Sequence, residues 1–136
     1  MNLNLSDILK AKGISPSVQR VSILRYMTEH HTHPTVEIIH EALSTSIPTL
    51  SKTTIYNTLT LFSQKGLIDS FVTDDNATHY DAVMTHHAHF KCVRCKRIFD
   101  LPFPELGKVE NSDFEINDIK LFYYGTCRFC KEHLNN

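Results

Sequence analysis

No stretch of the chain approaches the ~20 consecutive apolar residues that a membrane-spanning helix requires, so no membrane segment is expected. The opening residues, Met1-Asn2-Leu3-Asn4-Leu5-Ser6-Asp7, lack the basic-then-apolar pattern of a secretory signal. Both absences favour a cytoplasmic protein, in which thiols stay reduced. There is no basic excess either: 14 Lys and Arg face 15 Asp and Glu, a formal net charge of -1. A nucleic-acid binder often carries such an excess. Residues 1–84 hold six cations against eight carboxylates, and residues 85–136 hold eight against seven. Any DNA contact must therefore rely on a local basic spot, on helix N-termini and on a dimer. Internal repeats and low-complexity stretches are missing as well. What remains, 136 residues with 41% hydrophobic and 21% charged, is enough for one compact domain or two small ones.

Cysteine is confined to two CxxC pairs, Cys92/Cys95 and Cys127/Cys130. A CxxC turn sets two thiolates on one side of an ion, and two such turns make a tetrahedral all-sulfur set suited to zinc. A redox CxxC opens a helix after a strand in a βαβ unit, and one pair suffices for it. Two pairs with 31 residues between them fit a structural zinc clamp better. It would tie the hairpin at residues 92–95 to a C-terminal helix at 127–130.

Periodicity divides the chain in two. Residues 5–12 form a short amphipathic helix stopped by Gly13. Ser15-Pro16 is placed to start a second, Ser15 as cap and Pro16 in the first turn, with Val18, Ile23, Leu24 and Met27 as its apolar stripe. His30 to Pro34 breaks it. Thr35 caps a third helix carrying Val36, Ile39 and Leu43, and Ile47-Pro48-Thr49-Leu50 is a turn. Ser51 caps a fourth, Lys52 to about Gln64, which ends at Gly66. Leu67–Thr73 and Ala77–Asp81 then read as two strands around the turn Asp74-Asp75-Asn76. Three helices and a two-stranded wing outline a winged helix-turn-helix, whose reading helix starts at Lys52.

Ala82 to Thr85 is the expected hinge, with domains at 1–82 and 83–136. Beyond it, His87–Val93 and Arg97–Leu101 read as strands flanking the first CxxC. Pro104 opens a short helix to about Asn111. Phe114–Tyr124 reads mainly as a strand, and Gly125 turns into the second CxxC and a short final helix. The expected fold class is α+β: an N-terminal winged helix-turn-helix domain followed by a C-terminal α/β domain with a four-cysteine zinc site.

Histidine, by contrast, is abundant. Of nine, three fall in His86-His87-Ala88-His89. His87 and His89 share one face of a strand and can converge on one ion, while His86 points away. Asp81 and Asp100 lie at nearby strand ends. An imidazole–carboxylate set without sulfur suits iron(II) or manganese(II) at least as well as zinc. From the residues alone, a metal site and a solvated histidine pair both stand. The start of the fourth helix, Ser51-Lys52-Thr53-Thr54-Ile55-Tyr56-Asn57, carries side chains able to contact phosphates or base edges. Taken alone it reads as a solvated face. In series with the preceding helices and the wing, it reads as a DNA-binding element.

Several ordered motifs resemble the ferric uptake regulator (Fur) superfamily, over nearly the whole chain. Pro16-Ser17-Val18-Gln19-Arg20 is similar to the family's TxQR helix start, with Ser17 in place of Thr. His33-Pro34-Thr35 resembles its HPT turn, and Thr53 to Leu59 its ATVYNNL reading helix. His86 to Cys95 matches HxHxxCxxC, and Tyr124 to Cys130 matches YGxCxxC. The resemblance implies a regulatory Fe(II) or Mn(II) site of His33, Asp81, His87, His89 and Asp100, beside structural Zn(II) on Cys92, Cys95, Cys127 and Cys130. It implies a homodimer that binds an inverted-repeat double-stranded DNA operator, with Arg20, Ser51, Lys52, Thr53, Thr54, Tyr56 and Asn57 as candidate contacts. Iron-sensing members commonly have His-His-Asp-His where this chain has Ala88, and glutamate at the position of Asp100. No histidine lies near Tyr123-Tyr124 to complete their additional site. The Asp81/Asp100 pair resembles the peroxide-sensing PerR type, a repressor released when peroxide oxidises His33 or His87. An iron, zinc or manganese uptake regulator is the alternative. Such sensing is stoichiometric, so no enzyme is expected. A zinc hydrolase or deaminase would need an HExxH or HxE…PCxxC pattern, and neither occurs. A thiol redox protein is the other rival.

Overall fold

The computed structural model describes residues 4–82, 87–110 and 113–134. The chain divides into two compact units, Met1–Met84 and Thr85–Asn136. From residue 83 onward the expected hinge lies outside the described residues, and so does His86.

In the first unit, four helices precede a hairpin: α1 (Leu5–Ala11), α2 (Val18–Glu29), α3 (Val36–Leu43), α4 (Lys52–Gln64), β1 (Asp69–Val72) and β2 (Thr78–Asp81). Short polar side chains start each helix by accepting an orphan N–H. Asn4 accepts from Ser6, Thr35 from Ile38 and Ser51 from Thr54. At α2 the cap is Ser17 and not Ser15: its hydroxyl accepts from Arg20 N–H at 3.1 Å. The helix thus begins two residues after Pro16, and the Ser15 carbonyl accepts from the Arg20 guanidinium at 2.8 Å. Val18, as first helical residue, falls outside the apolar stripe and is 75% exposed. Gly13 and Gly66 follow α1 and α4 with φ of 74° and 75°, the left-handed turn that ends a helix.

Ile23, Leu24 and Met27 of α2 meet Ile39 of α3 and Ile55, Leu59 and Phe62 of α4 in one buried cluster. Tyr80 of the wing closes it. β1 and β2 pair antiparallel, Asp69 opposite Asp81 and Phe71 opposite His79. Asn76, at φ 63°, makes the turn between them. This is a winged helix.

The second unit holds β3 (His87–Cys92), β4 (Ile98–Pro102), β5 (Phe122–Gly125) and α5 (Arg128–Leu134). Its strand order is β4-β3-β5. β3 runs antiparallel to β4, with His89 opposite Asp100. It runs parallel to β5, with Cys92 opposite Gly125. The large buried cluster belongs to the first unit; in the second, the buried apolar residues among those described are Ala88, Cys92 and Cys127.

Two sequence expectations fail here. Over 104–110 there is no helix. Leu106 and Val109, its apolar face, are 51% and 64% exposed. So short a helix does not sustain itself without packing, and Gly107 in its middle disfavours it by about 1 kcal/mol against alanine. Residues 114–121 take no strand, and only Phe122–Gly125 pairs. A strand exists through its partner, and Asn117 and Asp118 are poor strand formers.

Phe62 is wholly buried at the centre of the first unit. Phe62→Ala is expected to lower the unfolding free energy by about 3–5 kcal/mol, measured by urea denaturation; a loss below about 1 kcal/mol would contradict this packing.

Candidate metal centres and DNA-reading face

The four cysteines converge. Their sulfurs all lie within 4.8 Å of one another. Cys92 Sγ stands 3.7 Å from Cys130 Sγ, and Cys95 Sγ 3.7 Å from Cys127 Sγ. A tetrahedral ion with bonds of ~2.3 Å to sulfur has sulfur–sulfur edges of about 3.8 Å. None of the four is in a disulfide.

The backbone prepares this cluster for charge. Lys96, at φ 68°, turns the first CxxC, and its N–H donates to the Cys92 carbonyl. Cys92 Sγ accepts from the N–H groups of Cys95 and Cys127, each at 3.4 Å. Burial opposes ionisation of Cys92, but backbone donors from Cys127, Cys95 and Arg94 outweigh it and bring the thiol down to about 5. Donors from the Arg97 backbone and side chain lower Cys95. Burial and then the neighbouring cysteines push Cys130 up to about 12. Backbone donors thus favour the thiolate at Cys92 and Cys95, whereas Cys130 resists ionisation and would give up its proton to a bound cation. That chemistry, all-sulfur and tetrahedral, fits zinc. Arg97 went unnoticed in the sequence. Its guanidinium lies 4.9 Å from the Phe129 ring centre and 6.0 Å from that of Phe99, a cation held by aromatic faces beside the thiolates.

Nitrogen and oxygen donors come together within each unit. In the first unit, His33 is buried, with Nε2 3.5 Å from Asp81 Oδ2. In the second, His87 Nε2 lies 3.3 Å from Asp100 Oδ1. The His87 and His89 rings are 4.6 Å apart on one face of β3, and ligand atoms of His87, His89 and Asp100 lie within 4.8 Å of one another. β3 alternation and its register with β4 produce that convergence. Each group joins imidazole to carboxylate without sulfur, a donor set that fits Fe(II), Mn(II) or Zn(II). His79 was also missed. It donates through Nδ1 to the His33 carbonyl at 2.7 Å. The available signal was its spacing of two from Asp81, which puts both on one face of β2.

The start of α4 is open to solvent. Ser51, Lys52, Thr53, Asn57 and Tyr56 are exposed, Tyr56 by 55%. Thr54 is half-buried, and its hydroxyl accepts from Ser51 Oγ at 2.9 Å. Ser51 is thereby engaged as the helix cap. Arg20 joins Thr54 and Asn57 in lining a cleft of about 390 Å³ between the beginnings of α2 and α4. Of the candidate DNA contacts, the structure brings Arg20, Thr54 and Asn57 together at this cleft.

Residues 11–124 match the model of the Ferric uptake regulator family. The chain is 34% identical over 132 residues to the peroxide-responsive repressor PerR of Staphylococcus epidermidis, covering 93% of this chain and 88% of that protein. It is also 34% identical over 129 residues to PerR of Staphylococcus aureus, covering 91% and 87%. Among solved structures, the Helicobacter pylori ferric uptake regulator Fur, described with three functional metal-binding sites, superposes with a TM-score of 0.74. It covers 96% of this chain and 97% of its own at 20% identity, a likeness of fold.

Cys127→Ser is expected to lose zinc and to unfold the second unit, because structural zinc supplies on the order of 10 kcal/mol to a small domain. Metal analysis with circular dichroism checks both. Zinc uptake by the metal-free chain at pH 7 should release protons, Cys130 among their sources since its thiol sits at about 12. Zinc retention should accordingly weaken as pH falls. A folded, zinc-loaded Cys127→Ser chain would rule out the all-cysteine site.

Proposed function

Because the chain belongs to the ferric uptake regulator family, we propose that it is a homodimeric, metal-dependent transcriptional repressor that senses peroxide. The observation that carries the reading is the pairing of both aspartates with histidines, His33 with Asp81 and His87 with Asp100. Kinship with peroxide-responsive repressors supports it. Residues 1–82 would bind DNA, and 83–136 would hold the dimer and the zinc. Exposed Leu106, Val109, Phe114, Ile116 and Ile119 give the second unit apolar surface that a second copy can cover. The repressor would act in the cytoplasm, where the thiols of a zinc site stay reduced.

In this reading Cys92, Cys95, Cys127 and Cys130 hold zinc, and His33, Asp81, His87, His89 and Asp100 hold Fe(II) or Mn(II). Ligands drawn from both units would let one ion fix the angle between them, and the loaded dimer would grip an inverted repeat. Iron(II) held there would catalyse cleavage of the peroxide O–O bond against a ligand imidazole. A ring C–H carbon of His33 or His87 would gain one oxygen and be oxidised by two electrons. Those electrons would reduce the other peroxide oxygen, which would leave as water, and the altered imidazole would ligate poorly. Loss of that ligand releases the DNA. On the DNA side, Lys52 meets phosphate, Tyr56 and Asn57 reach base edges, and Arg20, Ser51, Thr53 and Thr54 fix the register.

Mass spectrometry after peroxide should show one added oxygen on the peptide carrying His33 or on the one carrying His87, with iron(II) bound and not with manganese(II). DNA binding should fall in step. Oxygen added equally with either metal, or only on cysteine, would favour a plain iron, zinc or manganese uptake regulator. His33→Ala should bind the regulatory metal weakly and lose metal-dependent DNA binding, with zinc retained.

Lys52→Ala and Tyr56→Ala should weaken operator binding at unchanged metal content. Loss of one phosphate contact at Lys52 should reduce the slope of log affinity against log salt by about one. Two variants with wild-type affinity would move the DNA-reading surface elsewhere.

A further inference from the structure

His33 is held in a conformation that its own sequence disfavours. Its φ is 57°, in the left-handed region that non-glycine residues visit uncommonly. It precedes Pro34, and a residue before proline is pressed toward extended backbone. Such a conformation persists only where surrounding structure imposes it. Here β2 does so from 46 residues away. The His33 carbonyl can only accept, so His79 Nδ1 carries the proton and donates at 2.7 Å. Tyr80 N–H donates to the next carbonyl, that of Pro34, at 3.0 Å. Asp81 Oδ2 then lies 3.5 Å from His33 Nε2. Three successive residues of one strand thus fasten the backbone of the His33 turn and face its imidazole.

Phe71 stiffens the arrangement. It stands opposite His79 across the hairpin, and the two rings stack at 5.6 Å and 13°. His33 meets the same phenyl ring edge-on at 5.8 Å and 64°. One aromatic wall therefore serves both imidazoles.

We infer that His79 is a positioning residue for metal binding: its N–H clamps the His33 carbonyl and so aims the His33 imidazole at the site it shares with Asp81. The inference rests on the proposed role of His33 and Asp81 as ligands. His79 itself need not touch the ion.

Three variants separate the clamp from simple support of the wing. His79→Phe keeps a ring against Phe71 and removes the donor. His79→Asn offers a side-chain amide N–H near the place of Nδ1. His79→Ala removes both. Each full-length, zinc-loaded chain is titrated with Mn(II) by calorimetry and with Co(II) by absorption, whose visible bands report ligand number. The Phe and Ala variants should bind Mn(II) about tenfold more weakly, the scale for loss of an outer partner of a ligand, with altered Co(II) bands. The Asn variant should recover most of the affinity and the wild-type bands. In the iron-loaded Phe variant, peroxide should add its oxygen at the His87 peptide in preference to the His33 peptide. Wild-type Mn(II) affinity in the Phe variant, or an Asn variant no better than Ala, would overturn the clamp; should the Phe variant not fold, the Asn and Ala comparison decides. His33→Ala is the control. If it too binds Mn(II) normally, the ligand assignment falls and the clamp with it. If it loses affinity while the Phe variant does not, the clamp alone falls.

Discussion

Four sulfurs packed within 4.8 Å of one another cannot all be anions without a cation among them. The second unit depends on how that repulsion is resolved. Among its described residues it has three short strands, one helix of seven residues and little buried hydrocarbon. A domain this small rarely stabilises itself by apolar burial alone. The thiol environment is divided accordingly, with Cys92 brought low by backbone donors and Cys130 kept high by burial and its neighbours. Arg97 adds positive charge at the edge. A dication bound by all four sulfurs would let them share charge and would make the cluster a core.

The first unit is built the other way, from hydrocarbon packing and helix caps. Its elements were largely legible for that reason. Ser51 and Gly66 bracket α4 with local chemistry, and the helix runs Lys52–Gln64 as its pattern indicates. Thr35 sets α3 by the same logic. The start of α2 was misplaced because two serines flank Pro16, and only the hydrogen bond to Arg20 selects Ser17. Beyond residue 103 legibility declines, since a helix and a strand expected there each needed a packing partner. Periodicity reveals that a face is apolar and says nothing of what covers it.

The candidate ligands were legible as residue types and motifs, and the structure adds their pairing. His33 meets Asp81 and His87 meets Asp100 through strand alternation and register. The spacing of two on β2 could place His79 beside Asp81, but its role could not be read. Its contact is a hydrogen bond to a main-chain carbonyl, which leaves no mark on residue type. The left-handed turn at His33 was equally hidden, because histidine carries no signal for positive φ comparable to that of glycine.

The parallel pairing of β3 with β5 has a consequence for assembly. Cys92 meets Gly125 in register and Cys130 across 38 residues, so the complete sulfur set exists only once a long loop has closed. Loop closure is entropically unfavourable, and it must precede the reward of coordination. The helices of the first unit, each capped by its neighbours in sequence, carry no such delay. During synthesis the winged helix can be in place while the metal clamp is still an open chain bearing a single CxxC. Zinc supply would then set when the second unit closes into its fold.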